Sequence, residues 1–107
     1  MVFAQLLDLW SATDRTAELA ERVAGRSRLA VWQRVMDRLP TLGPTEARGY
    51  IRARALAVVE VETGRLVEQE GAKVARQRER IAGQATEKLI SAIIAQVHQR
   101  KPAARAA

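Results

Sequence analysis

The chain has 107 residues, with 18 Lys and Arg against 12 Asp and Glu, a net charge of +6, and no cysteine. A chain of this length buries only about 60–65% of its unfolded surface, so it fits one small domain and leaves no second core to build. The missing cysteine removes disulfide staples, thiol nucleophiles and cysteine-ligated zinc together, and it agrees with a reducing cytoplasm.

The excess charge comes from arginine, because Lys73, Lys88 and Lys101 are the only lysines. Such a balance favours polyanions, acidic proteins or anionic surfaces as partners. An arginine- and alanine-rich composition bias is the competing explanation. The opening MVFAQLLDLWSATD is apolar, but Asp8 interrupts it and no basic residue precedes it, so neither a secretory signal nor a membrane span is expected.

In chain order, Phe3, Leu6, Leu7 and Trp10 fall at i, i+3, i+4 and i+7 and predict a first helix. Ser11 and Asp14 have the spacing of a capping box, so a second helix either starts near Thr13 or continues the first. Ala17, Ala20, Val23 and Ala24 extend the stripe. Gly25 is placed to end it in a left-handed conformation, and Ser27 to cap the next helix. That helix carries Leu29, Trp32, Val35, Met36 and Leu39 on one face and stops at Pro40. The segment Pro40–Thr45 is the only strongly punctuated loop, with Gly43 or Thr45 as a cap and Pro44 tolerated in the first turn that follows.

From Thr45 to Arg100 there is no proline. Ile51, Ala55, Val58 and Val59 make one stripe, Val67, Val74 and Ile81 recur every seven residues, and Leu89, Ile90, Ile93, Ile94 and Val97 form a final band. Sevenfold recurrence is what a helix needs to keep one side against another helix. A hairpin turning at Thr63–Gly64 competes over residues 58–67, where β-branched residues partly alternate. Glycines 64, 71 and 83 each cost about 1 kcal/mol inside a helix and mark kinks, close contacts or breaks, with Gly83 the best single candidate for a break. The fold expectation is all-α: an N-terminal unit of two to three helices over residues 1–43, a long or kinked helical arm over 44–100, and a flexible tail from 102 to 107.

Catalytic and cofactor chemistry is not expected. The one histidine, His98, stands near Arg100 and Lys101, where an imidazolium complements a helix C-terminus. Glu60, Glu62, Glu68 and Glu70 lack the Glu-x-x-His pairing of a di-iron bundle and instead suit ion pairs with Arg65 and Lys73. No phosphate-loop, dinucleotide or calcium-loop pattern occurs.

The first functional expectation is a non-enzymatic assembly or adapter module, a dimer by preference. Gly64 and Gly71 would form a packing notch flanked by Val67, Val74 and Ile81, unless the glycines are instead hinges. The second is a nucleic-acid-associated protein that contacts phosphates through Lys73, Arg76 and Arg80, which share a helical stripe, as Arg15, Arg22 and Arg26 do earlier in the chain. A helix-turn-helix reading would add Arg48 and Arg52, with Tyr50 beside them, although the connection is longer than that motif uses.

Overall fold

A computed structural model describes the backbone of residues 2–106 and the side chains of residues 15–100. The apolar set Phe3, Leu6, Leu7 and Trp10, the Ser11–Asp14 box and the tail from 102 to 107 have side chains outside the described residues. Among the described residues all regular structure is helical: α1 (Val2–Val35), a 3₁₀ turn (Leu39–Thr41), α2 (Pro44–Glu70), the single turn α3 (Ala72–Ala75) and α4 (Arg78–Ala106). Each long helix packs against the other two. The pairings Glu21 with Lys88 and Arg28 with Gln96 run α1 and α4 parallel. Arg52 with Glu87 and Arg15 with Glu70 fit α2 running against both in the opposite sense. The result is an up-down-up three-helix bundle.

The core is written at a spacing of four. In α1 the buried row is Leu19, Val23, Ser27, Val31 and Val35; in α2 it is Ala47, Ile51, Ala55, Val59 and Thr63; in α4 it is Ile81, Ala85, Leu89 and Ile93. Four residues advance a helix by about 400°, so each step drifts about 40° around the axis. A five-residue row therefore sweeps about 160°, wide enough to face two neighbours rather than one. Leu66 and Ile90 fill the same cluster, and Val67, Ile94 and Val97 pack against its edge.

Polar groups inside this core are mostly satisfied locally. The Thr63 hydroxyl donates to the Val59 carbonyl at 2.7 Å, one turn back, and the Thr16 hydroxyl, midway along α1, donates to Gln77 Oε1 just ahead of α4. Ser27 is fully buried and its Oγ has no hydrogen-bond partner.

Several expectations from the sequence are corrected by the fold. Gly25 does not end a helix and Ser27 caps nothing, because α1 runs through both. The buried row from Leu19 to Val35 passes on the opposite side of Gly25, and its burial outweighs a glycine penalty of about 1 kcal/mol. The hairpin at Thr63–Gly64 does not form, since both residues lie inside α2. Gly83 is not the break either: the row Ile81–Ala85–Leu89–Ile93 carries α4 straight across it.

The break is at Gly71, which has φ 92° and ψ −164°. That conformation is the mirror image of an extended strand residue and is open essentially only to glycine. There α2 ends, α3 makes one turn, and the chain reverses into α4. The stretch read as an arm is thus two helices folded side by side. At the other connection Gly43 is the cap of α2 and Pro44 its first residue.

Candidate nucleic-acid interface

Most cations of the bundle fall into two groups, while Arg34 and Arg38 are exposed without an ion pair among the described residues and Arg54 and Arg100 lie over the Tyr50 and Trp32 rings. One kind is held by carboxylates and amides. Arg15 and Arg22 both reach Glu70 at 3.0 Å, Arg26 reaches the Gln69 amide oxygen, and Lys88 pairs with Glu21 at 2.8 Å. The stripe of Arg15, Arg22 and Arg26 therefore ties α1 to the end of α2. Glu70 takes these partners rather than the expected Lys73. Arg65 does bond Glu62 within α2, at 2.9 Å.

Arg48 and Arg52 belong to the same kind. Both sit on α2 facing Glu87 of α4, at 3.6 and 2.6 Å. They clamp two helices of one chain, and α2 packs on both α1 and α4, which is not the free presentation a recognition helix needs. Tyr50 is half-buried against the core, with the Arg54 guanidinium 5.0 Å from its ring centre.

The second kind is gathered at the α2–α4 reversal. Gly71-Ala72-Lys73-Val74-Ala75-Arg76-Gln77-Arg78-Glu79-Arg80 carries four cations against Glu79 alone. Val74 points inward and is buried, Gln77 accepts from Thr16, and Lys73, Arg76, Arg78 and Arg80 are all exposed. None of the four forms an ion pair among the described residues. The local fold forces this arrangement, because a reversal buries only the residues that plug the end of the core and turns the rest outward. Lys73, Arg76 and Arg80 were legible from the sequence. Arg78 was not, since it falls off their helical stripe once the chain is read as one straight helix. Its guanidinium lies over α2, where a Cβ built on Gly64 would meet its Nη2 at 3.4 Å.

The residues read as a docking seam behave differently. Val74 and Ile81 are buried in the chain's own core and Val67 is half-buried against it, so the apolar face they would offer to another molecule is already covered. Gly71 forms the reversal, and Gly64 makes room for Arg78 instead of for a second backbone.

Among the cavities of the described residues, two lie on the bundle away from the reversal. One of about 460 Å³ runs between α1 and α4 over Ala24, Gly25, Ser91 and Ala92. Another of about 280 Å³ is walled by Leu39, Leu42, Pro44, Ala47, Ile94 and Val97, with Arg48 and His98 at its edge. Glu21, Glu87 and Lys88 rim the first, where Lys88 pairs with Glu21 and Glu87 with Arg52. Among the described residues no three His, Asp or Glu side chains are grouped to hold a metal ion, and no helix is long and apolar enough to cross a membrane. Comparison with protein-family models, with curated proteins and with solved structures found nothing that matches this chain.

Proposed function

We propose that this chain is a non-enzymatic helical module that binds nucleic acid through the basic reversal, contacting phosphates without reading base sequence. The observation that supports this most is the density of exposed cations at the reversal: Lys73, Arg76, Arg78 and Arg80 fall within eight residues and form no ion pair among the described residues, whereas Arg15, Arg22, Arg48, Arg52, Arg65 and Lys88 are paired to glutamates, and Arg34 and Arg38, exposed and likewise without an ion pair, lie apart from them. Unpaired like charges repel one another and contribute nothing to the fold. A polyanion relieves that repulsion and releases its own counterions. Arginine at three of the four positions adds a planar fork that grips phosphate oxygens two at a time.

Four phosphate contacts on duplex DNA give a salt slope of about −3.6 in log K against log salt, so affinity falls roughly a hundredfold between 50 and 200 mM. Fluorescence anisotropy on a labelled duplex checks this. Replacing Lys73, Arg76 and Arg80 together by Glu is expected to abolish binding at 100 mM salt, irrespective of the duplex sequence, without altering the melting temperature of the bundle. Reversing Arg48 and Arg52 is expected to cost stability through Glu87 and to weaken binding far less. No anisotropy change for duplex or single strands at low salt would end this reading.

A further inference from the structure

We infer that residues 71–77 form a hinge through which the chain exchanges α4 with a second copy of itself, giving a dimer in which α2, α3 and α4 run as one helix. This goes beyond the nucleic-acid reading and does not depend on it.

The inference starts from how little separates the reversal from a straight helix. Gly71 is the only described residue with positive φ. Around it the backbone is already helical in sense: the Gly71 N–H bonds the Val67 carbonyl at 2.9 Å, Ala72–Ala75 is a helical turn, Arg76 has φ −68° and ψ −22°, and the Ile81 N–H bonds the Gln77 carbonyl at 2.9 Å. No proline lies between Pro44 and Pro102. Returning Gly71 to helical angles and tightening the Arg76–Gln77 step would make residues 44–100 a single helix about 85 Å long.

A chain in that state cannot close its own bundle. Its α4 is carried away from α1, and the face of α1 and α2 that Ile81, Ala85, Leu89, Ile90 and Ile93 cover is left bare. That face is complementary in shape and charge to the α4 of another copy, which is identical to the helix it has lost. The Glu21–Lys88, Arg28–Gln96 and Arg52–Glu87 pairs, the core rows and the contact of Arg100 with the Trp32 ring at 5.3 Å all re-form between chains. Exchange of an identical element preserves the contacts and alters only the hinge, which is why it is a low-cost route to dimers. What opposes it in the monomer is the ease with which glycine adopts the reversal, along with the Thr16–Gln77 bond that ties the start of α4 to α1 of the same chain.

The test shifts that balance at one atom. Gly71→Ala strains the reversal and favours the helix, whereas D-alanine at the same position, introduced by chemical synthesis, has its preferred extended region where Gly71 now lies. Light scattering after size exclusion is expected to show Gly71→Ala dimerising at least about a hundredfold more tightly than the native chain, and the D-alanine chain as monomer.

Carbodiimide coupling then reports which dimer forms, since it joins the Glu21 carboxylate to the Lys88 amine 2.8 Å away. In an exchanged dimer this link is between chains and survives denaturing electrophoresis as a covalent dimer that Lys88→Arg removes. In a dimer of closed bundles it stays within each chain. A folded Gly71→Ala chain that remains monomeric at millimolar concentration overturns the inference, and so does a dimer whose link is intrachain. If Gly71→Ala fails to fold, the same coupling is applied to the native chain refolded at millimolar concentration: a covalent dimer that depends on Lys88 supports exchange, and its absence overturns it.

Discussion

Ile93→Ala is expected to lower the melting temperature by about 10–30 °C. Ile93 is fully buried on the α4 row that faces both other helices. Removing its outer carbons loses their transfer energy and leaves a cavity, together about 2–5 kcal/mol. A domain of this size has about 5–15 kcal/mol of stability in all, and each kcal/mol moves the midpoint by about 4–8 °C. Leu29→Ala is the control. Leu29 is the same kind of residue on α1 but 67% exposed, and its loss is expected to stay within about 0.5 kcal/mol. Thermal melts followed by circular dichroism check both; equal shifts for the two variants would mean that the core rows are misassigned.

The second large effect is a pair of glycine replacements with opposite signs. Gly71→Ala is expected to lower the unfolding free energy of the dilute monomer by about 1–3 kcal/mol, because the added Cβ cannot follow the backbone to φ 92° without strain. Gly64→Ala is expected to raise it by up to about 1 kcal/mol, because that residue is helical and alanine is the better helix former. The new Cβ at 64 meets only the tip of Arg78 at 3.4 Å, and a long exposed side chain can move aside. Urea titration measures both, and a loss of stability at Gly64 would place something less yielding than Arg78 against it.

The sign difference at these two glycines also shows where the sequence could be read and where it could not. Helix content was legible because apolar residues recur at helical spacing through Ala20 and Val23, Trp32 and Val35, Ile51, Ala55 and Val59, and Leu89, Ile90 and Ile93, although Leu19 was passed over and Leu29, placed on the same face as Trp32, is exposed; the Pro40–Thr45 loop was legible from its prolines. Which glycine breaks the chain was not, since Gly25, Gly71 and Gly83 look alike locally. A usable signal did exist. The four-residue rows pass unbroken beside Gly25 and Gly83, while no such row crosses Gly71.

The sevenfold set Val67, Val74 and Ile81 masked this by joining two different helices with one apparent period. Val67 belongs to α2, Val74 to the single turn α3 inside the reversal and Ile81 to α4. The cations divide in the same way. Arg48 and Arg52 resemble Lys73, Arg76 and Arg80 in the sequence. Their separation depends on Glu87, which lies thirty-five residues from Arg52 and comes close only when α4 folds back.

The core, the cation clusters and the hinge all depend on that fold-back within one chain, and a single distance tests it. Nitroxide labels at the exposed positions Gln33 on α1 and Gln99 on α4 flank the Trp32–Arg100 contact. Parallel neighbouring helices lie about 8–10 Å apart, so double electron–electron resonance on doubly labelled chains, diluted into unlabelled protein at low concentration, is predicted to give a narrow distribution near 20 Å once label arms of about 5 Å each are added to that spacing. A straight helix from Pro44 onward would carry position 99 about 80 Å from the start of α2, and a broad or absent signal at short range would contradict the bundle.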